Sequence, residues 1–151
     1  MNAGSRSKSG ATIVEVALAI LLFSILAITA GAALHHARGL VAVQKARRAA
    51  LDVANGRLES LRGAAYENIR PTLNNYSIYY VSFSGGAWSV STTDPGETAA
   101  INGVQRPLIS TVQYVDTDGG SVSYDAVQVT VSVQFTASAK DVVVIRTMRT
   151  Q

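Results

Sequence analysis

Residues 11–34, ATIVEVALAILLFSILAITAGAAL, form an apolar run of 24 residues interrupted by one charge, Glu15. At 1.5 Å per residue a helix of that length is about 36 Å long, enough to cross a hydrocarbon core of about 30 Å. Such a run anchors or targets a chain. It leaves the remainder of 151 residues room for about one globular unit. Composition agrees, since only 15% of the residues are charged, against roughly 25% in an ordinary soluble domain. A carboxylate inside an apolar helix is costly unless paired or near the interface, so Glu15 is a functional candidate that needs a partner, and no basic residue of the run can serve.

The ten residues before the run, MNAGSRSKSG, are small and polar, with Arg6 and Lys8. Gly10, then Ala11, Thr12 and Glu15 at the head of a nearly unbroken apolar helix, resemble the class III signal of type IV pilins and pseudopilins. The resemblance implies a leader of residues 1–10, cut by a prepilin peptidase between Gly10 and Ala11. It implies methylation of the new Ala11 amine by the same peptidase/N-methyltransferase, and a role for Glu15 in assembly. Ala11 stands where that family most often has Phe, and Ala32 where major pilins often carry a helix-kinking Pro. The second departure leans towards a minor pilin or a pseudopilin.

Two other readings of the run stay open. An ordinary secretory signal peptide would end at Ala30, Gly31 and Ala32, an A-x-A-like site, although Glu15 would then interrupt its apolar core. A plain uncleaved anchor is the other. Counted by basic residues, Arg38, Lys45, Arg47 and Arg48 outweigh Arg6 and Lys8, and the positive-inside rule taken alone would orient the chain the opposite way to a pilin.

From His35 to Ile69 the apolar positions Leu40, Val43, Leu51, Ala54, Leu58, Leu61 and Ala65 recur at helical spacings, broken at Arg47. The spacing predicts one long helix, with an anchoring half over 11–34 and an amphipathic half over 35–70 whose stripe covers a β-sheet. Arg48 with Asp52 and Glu59 with Arg62 are spaced for surface ion pairs. Gly39 and Gly56 weaken the helix, and Pro71 stops it.

Over residues 71–151 the period becomes two. Segments 76–84 and 87–93, joined by Gly85-Gly86, read as a hairpin. Segments 107–117 and 121–135 read as a second antiparallel pair, with Val127, Val129, Val131, Val133 and Phe135 on a buried face and Gln128, Thr130, Ser132 and Gln134 on a wet one. Residues 136–140 turn the chain into a last strand, and residues 94–103 read as a surface loop. The fold class expected is α+β, a long N-terminal helix packed on an antiparallel sheet.

Little in the chain points to catalysis. It has no cysteine, and no G-x-S-x-G, H-E-x-x-H or phosphate-cradling glycine loop. His35 and His36 are adjacent and so point about 100° apart on a helix, which makes them a poor metal pair. Asp116, Asp118 and Gly119, with Asp125, have the oxygen-rich look of a calcium loop, yet DTDGG is also what a hairpin turn needs. The expectation is a structural turn, with no cofactor, no metal and no enzyme activity. Residues 1–62 carry a net +5 and residues 63–151 a net −2, so no nucleic-acid partner is expected for the globular part.

The expected protein is thus an assembly subunit, a minor pilin of a type IV pilus, or alternatively a pseudopilin of a type II secretion system. A signal-peptide-cleaved periplasmic binding module is the alternative of another class. Its partners would be the prepilin peptidase, inner-membrane lipid before assembly, and other pilins or pseudopilins through the N-terminal helix. It would sit once across a bacterial inner membrane, head outside the cytoplasm, before joining a pilus or pseudopilus. Mass spectrometry of the mature N-terminal peptide should find cleavage between Gly10 and Ala11 and a methylated Ala11. Gly10 lets a peptidase approach the backbone closely, so a bulky replacement should leave an unprocessed, membrane-held precursor. A mature start near Ala33 would overturn the pilin resemblance.

Overall fold

A computed structural model of the protein describes residues 12–71, 77–115 and 126–150. The expected turn at Asp116–Gly120, Asp125 and the cleavage pair Gly10 and Ala11 lie outside them. Helix α1 runs Ile13–Gly63 and a one-turn helix α2 runs Tyr66–Ile69. The strands are β1 (Tyr79–Ser84), β2 (Ala87–Ser91), β3 (Thr98–Ile101), β4 (Val104–Val115), β5 (Ala126–Gln134) and β6 (Val142–Thr150). The fold is α+β, as the periodicities predict. Two compact units divide within α1, one ending at Val41 and the other starting at Ala42.

In the first unit every described side chain from Thr12 to Val41 is exposed. Phe23, Leu26 and Ile28 each show about two thirds or more of their surface. The hydroxyls of Ser24 and Thr29, inside the helix, are satisfied by its own carbonyls. Ser24 Oγ donates to the Ile20 carbonyl at 2.7 Å, and Thr29 Oγ1 to those of Leu26 and Ile25 at 2.9 and 3.1 Å. Back-bonding of this kind leaves no polar group seeking water. α1 is long and apolar enough to cross a membrane.

The second unit is built around one antiparallel sheet in the order β2-β1-β4-β5-β6, with β3 also paired to β4. Strand β5 alternates as expected: Val127, Val131 and Val133 are fully buried and Val129 nearly so, whereas Gln128, Thr130, Ser132 and Gln134 face the other side. Phe135 is half-buried against the core. From α1 the core takes Ala50, Ala54, Leu58 and Leu61, spaced four, four and three apart, which keeps them on one helical face. Of the expected stripe, Ala54, Leu58 and Leu61 are buried and Leu51 is half-buried, but Leu40, Val43 and Ala65 are exposed. The difference has two causes. The sheet begins to cover α1 only at about Ala46, and α1 stops at Gly63, so Ala64 rather than Ala65 turns inward.

That early stop has a partner. Arg149 of β6 donates through Nη1 to the carbonyls of Ala64 at 2.8 Å and Leu61 at 3.2 Å. Carbonyls at a helix C-terminus lack intrahelical donors and carry partial negative charge, so a guanidinium there satisfies both needs. Arg62 adds a second stitch to Thr147 Oγ1 at 3.1 Å and forms the expected pair with Glu59 at 2.7 Å. The other expected pair, Arg48 with Asp52, is not among the ion pairs of the described residues.

The segment read as a loop over 94–103 contains a strand. β3 pairs with the first part of β4 through Ile101↔Val104, closed by Asn102 and Gly103 at φ +50° and +80°. Asn-Gly is the dipeptide most suited to a two-residue turn with both φ positive. The other hairpin turn, Gly85-Gly86, has φ +61° and +83° and lies where expected. Strand β1 reaches β4 further along, at Tyr79↔Val112 and Tyr80↔Thr111. Two short strands thus share one edge of β4. Pro107 has no N–H to give, and it sits just before the β4–β5 ladder begins at Leu108↔Val133.

Leu61→Ala is expected to lower stability by about 2–5 kcal/mol, because it opens a cavity where helix and sheet meet. Gly56→Ala is expected to raise it by about 0.5–1 kcal/mol, since a Cβ there meets nothing within 4 Å. Urea unfolding of the detergent-solubilised chain checks both signs.

Candidate functional site

The expected assembly carboxylate stands in the first turn of α1. Thr12 immediately precedes the helix, and Glu15 is its third residue. The Thr12 backbone N–H donates to Glu15 Oε2 at 3.0 Å, and the Glu15 N–H donates to Thr12 Oγ1 at 3.3 Å. The Thr12 hydroxyl lies 3.4 Å from the same Oε2, a weak contact. This reciprocal T-x-x-E arrangement is a capping box, which satisfies two donors that a helix start leaves without partners. It also sets negative charge at the positive end of the helix dipole.

The T-x-x-E spacing of a capping box is present in Thr12-Ile13-Val14-Glu15, masked by the apolar run around it. Capping uses only Oε2, and among the described residues no hydrogen bond or ion pair engages Oε1. One oxygen closes the helix and the other keeps its acceptor capacity for a cation. In hydrocarbon each unsatisfied backbone donor costs several kcal/mol, so a cap that is worth about 1 kcal/mol in water gains value as it nears lipid.

His35 and His36 are both exposed on α1. Among the described residues no three His, Asp or Glu side chains converge as metal ligands would.

A second cluster was not read from the sequence. Arg57 lies on the buried face of α1, three residues after Ala54 and four before Leu61, and its side chain is 13% exposed. Its Nη2 pairs with Glu97 Oε2 at 2.5 Å, its Nε donates to Ser110 Oγ at 3.1 Å, and the Val81 carbonyl lies 3.4 Å from Nη2. The guanidinium carbon also stands 4.7 Å from the centre of the Trp88 ring, and Phe83 packs tilted on that ring at 4.9 Å. Glu97 completes the clasp by accepting the Phe83 N–H through Oε1 at 2.9 Å, while its carbonyl accepts the Leu108 N–H. One arginine therefore ties α1 to β1, β2, β4 and the start of β3. Ser110, the one buried polar residue among those described, is there as its acceptor.

Beside the clasp a shallow cleft of about 260 Å³ is lined by Arg57, Ser60, Gly63, Ala64, Phe83 and Trp88. Nε and Nη2 of the arginine are taken up by Ser110, Val81 and Glu97, within the fold itself, so the cluster is architectural. An arginine on an apolar helical face signals a buried acceptor in the sequence, but nothing there says that the acceptor is Glu97. At the corner beyond, burial and then Tyr114 raise the pKa of the Tyr66 phenol, which keeps its proton at neutral pH.

No protein-family model, curated protein or solved structure matches this chain.

Arg57→Met should cost about 2–3 kcal/mol, between an exposed pair and a fully buried one, because it strands the Glu97 carboxylate. Adding Glu97→Gln should recover part of that loss. A double-mutant cycle on denaturation midpoints tests it, and strictly additive effects would show that the two residues are not coupled.

Proposed function

We propose that the protein is a membrane-held precursor of a filament subunit, of the minor type IV pilin kind. One observation carries this reading: α1 is a single helix whose residues 13–34 are apolar except for Glu15 and have no buried side, while residues 50–61 complete the core of a β-sheet unit. A helix that is apolar on all sides is covered by lipid or by other helices. A subunit that first waits in a bilayer and then joins a helical bundle is covered by each in turn. The Gly10, Ala11 and Glu15 pattern supports the pilin form of that sequence of events.

In this reading the prepilin peptidase cuts after Gly10 and frees the Ala11 amine. Glu15 then has two roles. Its Oε2 caps α1, and its Oε1 accepts the Ala11 amine of its own or a neighbouring subunit. A buried carboxylate left without a cation is heavily penalised, so the pairing between subunits sets the axial offset at which helices stack. The β-rich unit rides outside the inner membrane and becomes the outer layer of the filament. Other pilin-like subunits are the partners, met through α1, and no catalytic step is assigned to the chain.

Two substitutions separate the roles of Glu15. Gln at this position keeps the capping box, and Val removes both cap and charge. Cleavage and membrane content should match wild type for both. Recovery in sheared filaments should fall about tenfold or more for both, since a lost pair in low dielectric exceeds the 1.4 kcal/mol that corresponds to one decade. Wild-type recovery of Glu15→Gln alongside loss of Glu15→Val would reduce the carboxylate to a cap, and wild-type recovery of both would sink the assembly role.

A further inference from the structure

We propose that Asn102 is a site of spontaneous deamidation, converted by water alone to aspartate or isoaspartate, and that the isoaspartate form releases the β3–β4 turn. The chain contains two Asn-Gly pairs, Asn55-Gly56 and Asn102-Gly103. All four residues are exposed, so access to water does not separate the pairs. Their backbones do. Asn55 and Gly56 lie inside α1, where the Gly56 N–H is committed to the carbonyl four residues before it. Asn102 and Gly103 form the tip of the β3–β4 hairpin, at φ +50° and +80°. Asn102 is the one residue other than glycine with positive φ among those described.

The nucleophile is the main-chain nitrogen of Gly103. It loses its proton to hydroxide and attacks Asn102 Cγ, so that a new N–Cγ bond closes a succinimide ring and the Cγ–Nδ2 bond breaks. Nδ2 leaves as ammonia with a proton taken back from water. A second water then adds to either carbonyl of the ring. Opening at Cγ gives aspartate, and opening at the main-chain carbonyl gives isoaspartate, whose backbone runs through the side chain. No oxidant or reductant enters.

The fold directs this reaction to Asn102. In a two-residue turn the closing bond joins Ile101 and Val104, which leaves the Gly103 N–H outside the ladder. Glycine has no Cβ to shield its nitrogen, and at Gly103 nothing stands within 4 Å of where a Cβ would be. The attack requires ψ of the asparagine to swing away from its folded value, so the rate follows how often each pair opens. At the hairpin tip, opening frees one buried side chain, Ile101, from a strand of four residues. In α1 it unwinds the turn that carries Ala54, Leu58 and the Arg57 clasp. The tip opens far more often.

The two products act differently on the fold. Aspartate keeps the turn, because Asp-Gly, like Asn-Gly, accepts positive φ at both positions. Isoaspartate lengthens the main chain by a methylene, so Ile101 and Val104 no longer meet across a two-residue loop. β3 then loses its register on β4, directly after Glu97 of the clasp.

The test holds the detergent-solubilised full chain at mildly alkaline pH, folded or in urea. Fragmentation mass spectrometry follows each asparagine, and an isoaspartyl methyltransferase with a labelled methyl donor counts isoaspartate. In the folded chain Asn102 should convert about tenfold or more faster than Asn55, the ratio given by about 1.4 kcal/mol of difference in opening free energy. In urea the two rates should become comparable. The isoaspartate form, separated by chromatography, should unfold at a lower urea concentration than the Asn102→Asp variant. Equal rates at Asn55 and Asn102 in the folded chain, no conversion at Asn102, or a contrast undiminished in urea would overturn the site. Equal unfolding midpoints for the isoaspartate form and Asn102→Asp would overturn its effect on the turn.

Discussion

The second unit of this protein depends on one contact, in which the Ala50, Ala54, Leu58 and Leu61 face of α1 joins one core with the valines of β5 and with Leu108, Val112 and Tyr114 of β4. A sheet with one apolar face cannot stand in water alone. Here the cover is the continuation of a helix whose earlier turns have no buried side. The Arg57 clasp and the Arg149 cap both act on this contact, one in the middle of the helix and the other at its end. Each converts an unmet need, a cation on an apolar face or bare carbonyls, into a tie across the fold.

Much of this architecture can be read from the residues. The valine alternation of β5 and the change from helical to two-residue period near Pro71 predict the α+β class, because burial on one side imposes those periods. The Gly85-Gly86 turn is equally plain. Strand β3 escaped because Thr98-Ala99-Ala100-Ile101 has weak alternation, although Asn102-Gly103 marks its turn. The limits of the helical stripe were not legible either, because where a sheet begins and ends on a helix is decided by strands far off in the chain.

At the candidate site the same division holds. Glu15 is conspicuous as the one charge in an apolar run, and the T-x-x-E spacing is local, so cap and carboxylate both lie within reach of sequence reasoning. The Arg57–Glu97 pair spans 40 residues, and no local pattern links its members. Non-local polar contacts depend on the path of the backbone, which periodicity does not describe.

The strand order carries a consequence for the path of folding. β1 with β2, β3 with β4, β4 with β5 and β5 with β6 are all neighbours in the chain, and β1 with β4 is the one pairing of non-consecutive strands among those described. Near-neighbour pairing closes small loops and is fast. The β1–β4 junction, which includes Tyr79↔Val112 and Tyr80↔Thr111, must close a longer loop around the β2 and β3 segments. Loop length alone makes that seam the pairing expected to close last. The Arg57–Glu97 clasp bridges it, so the pair acts as a latch on the slowest joint of the sheet, and its loss should appear mainly as faster unfolding rather than slower folding.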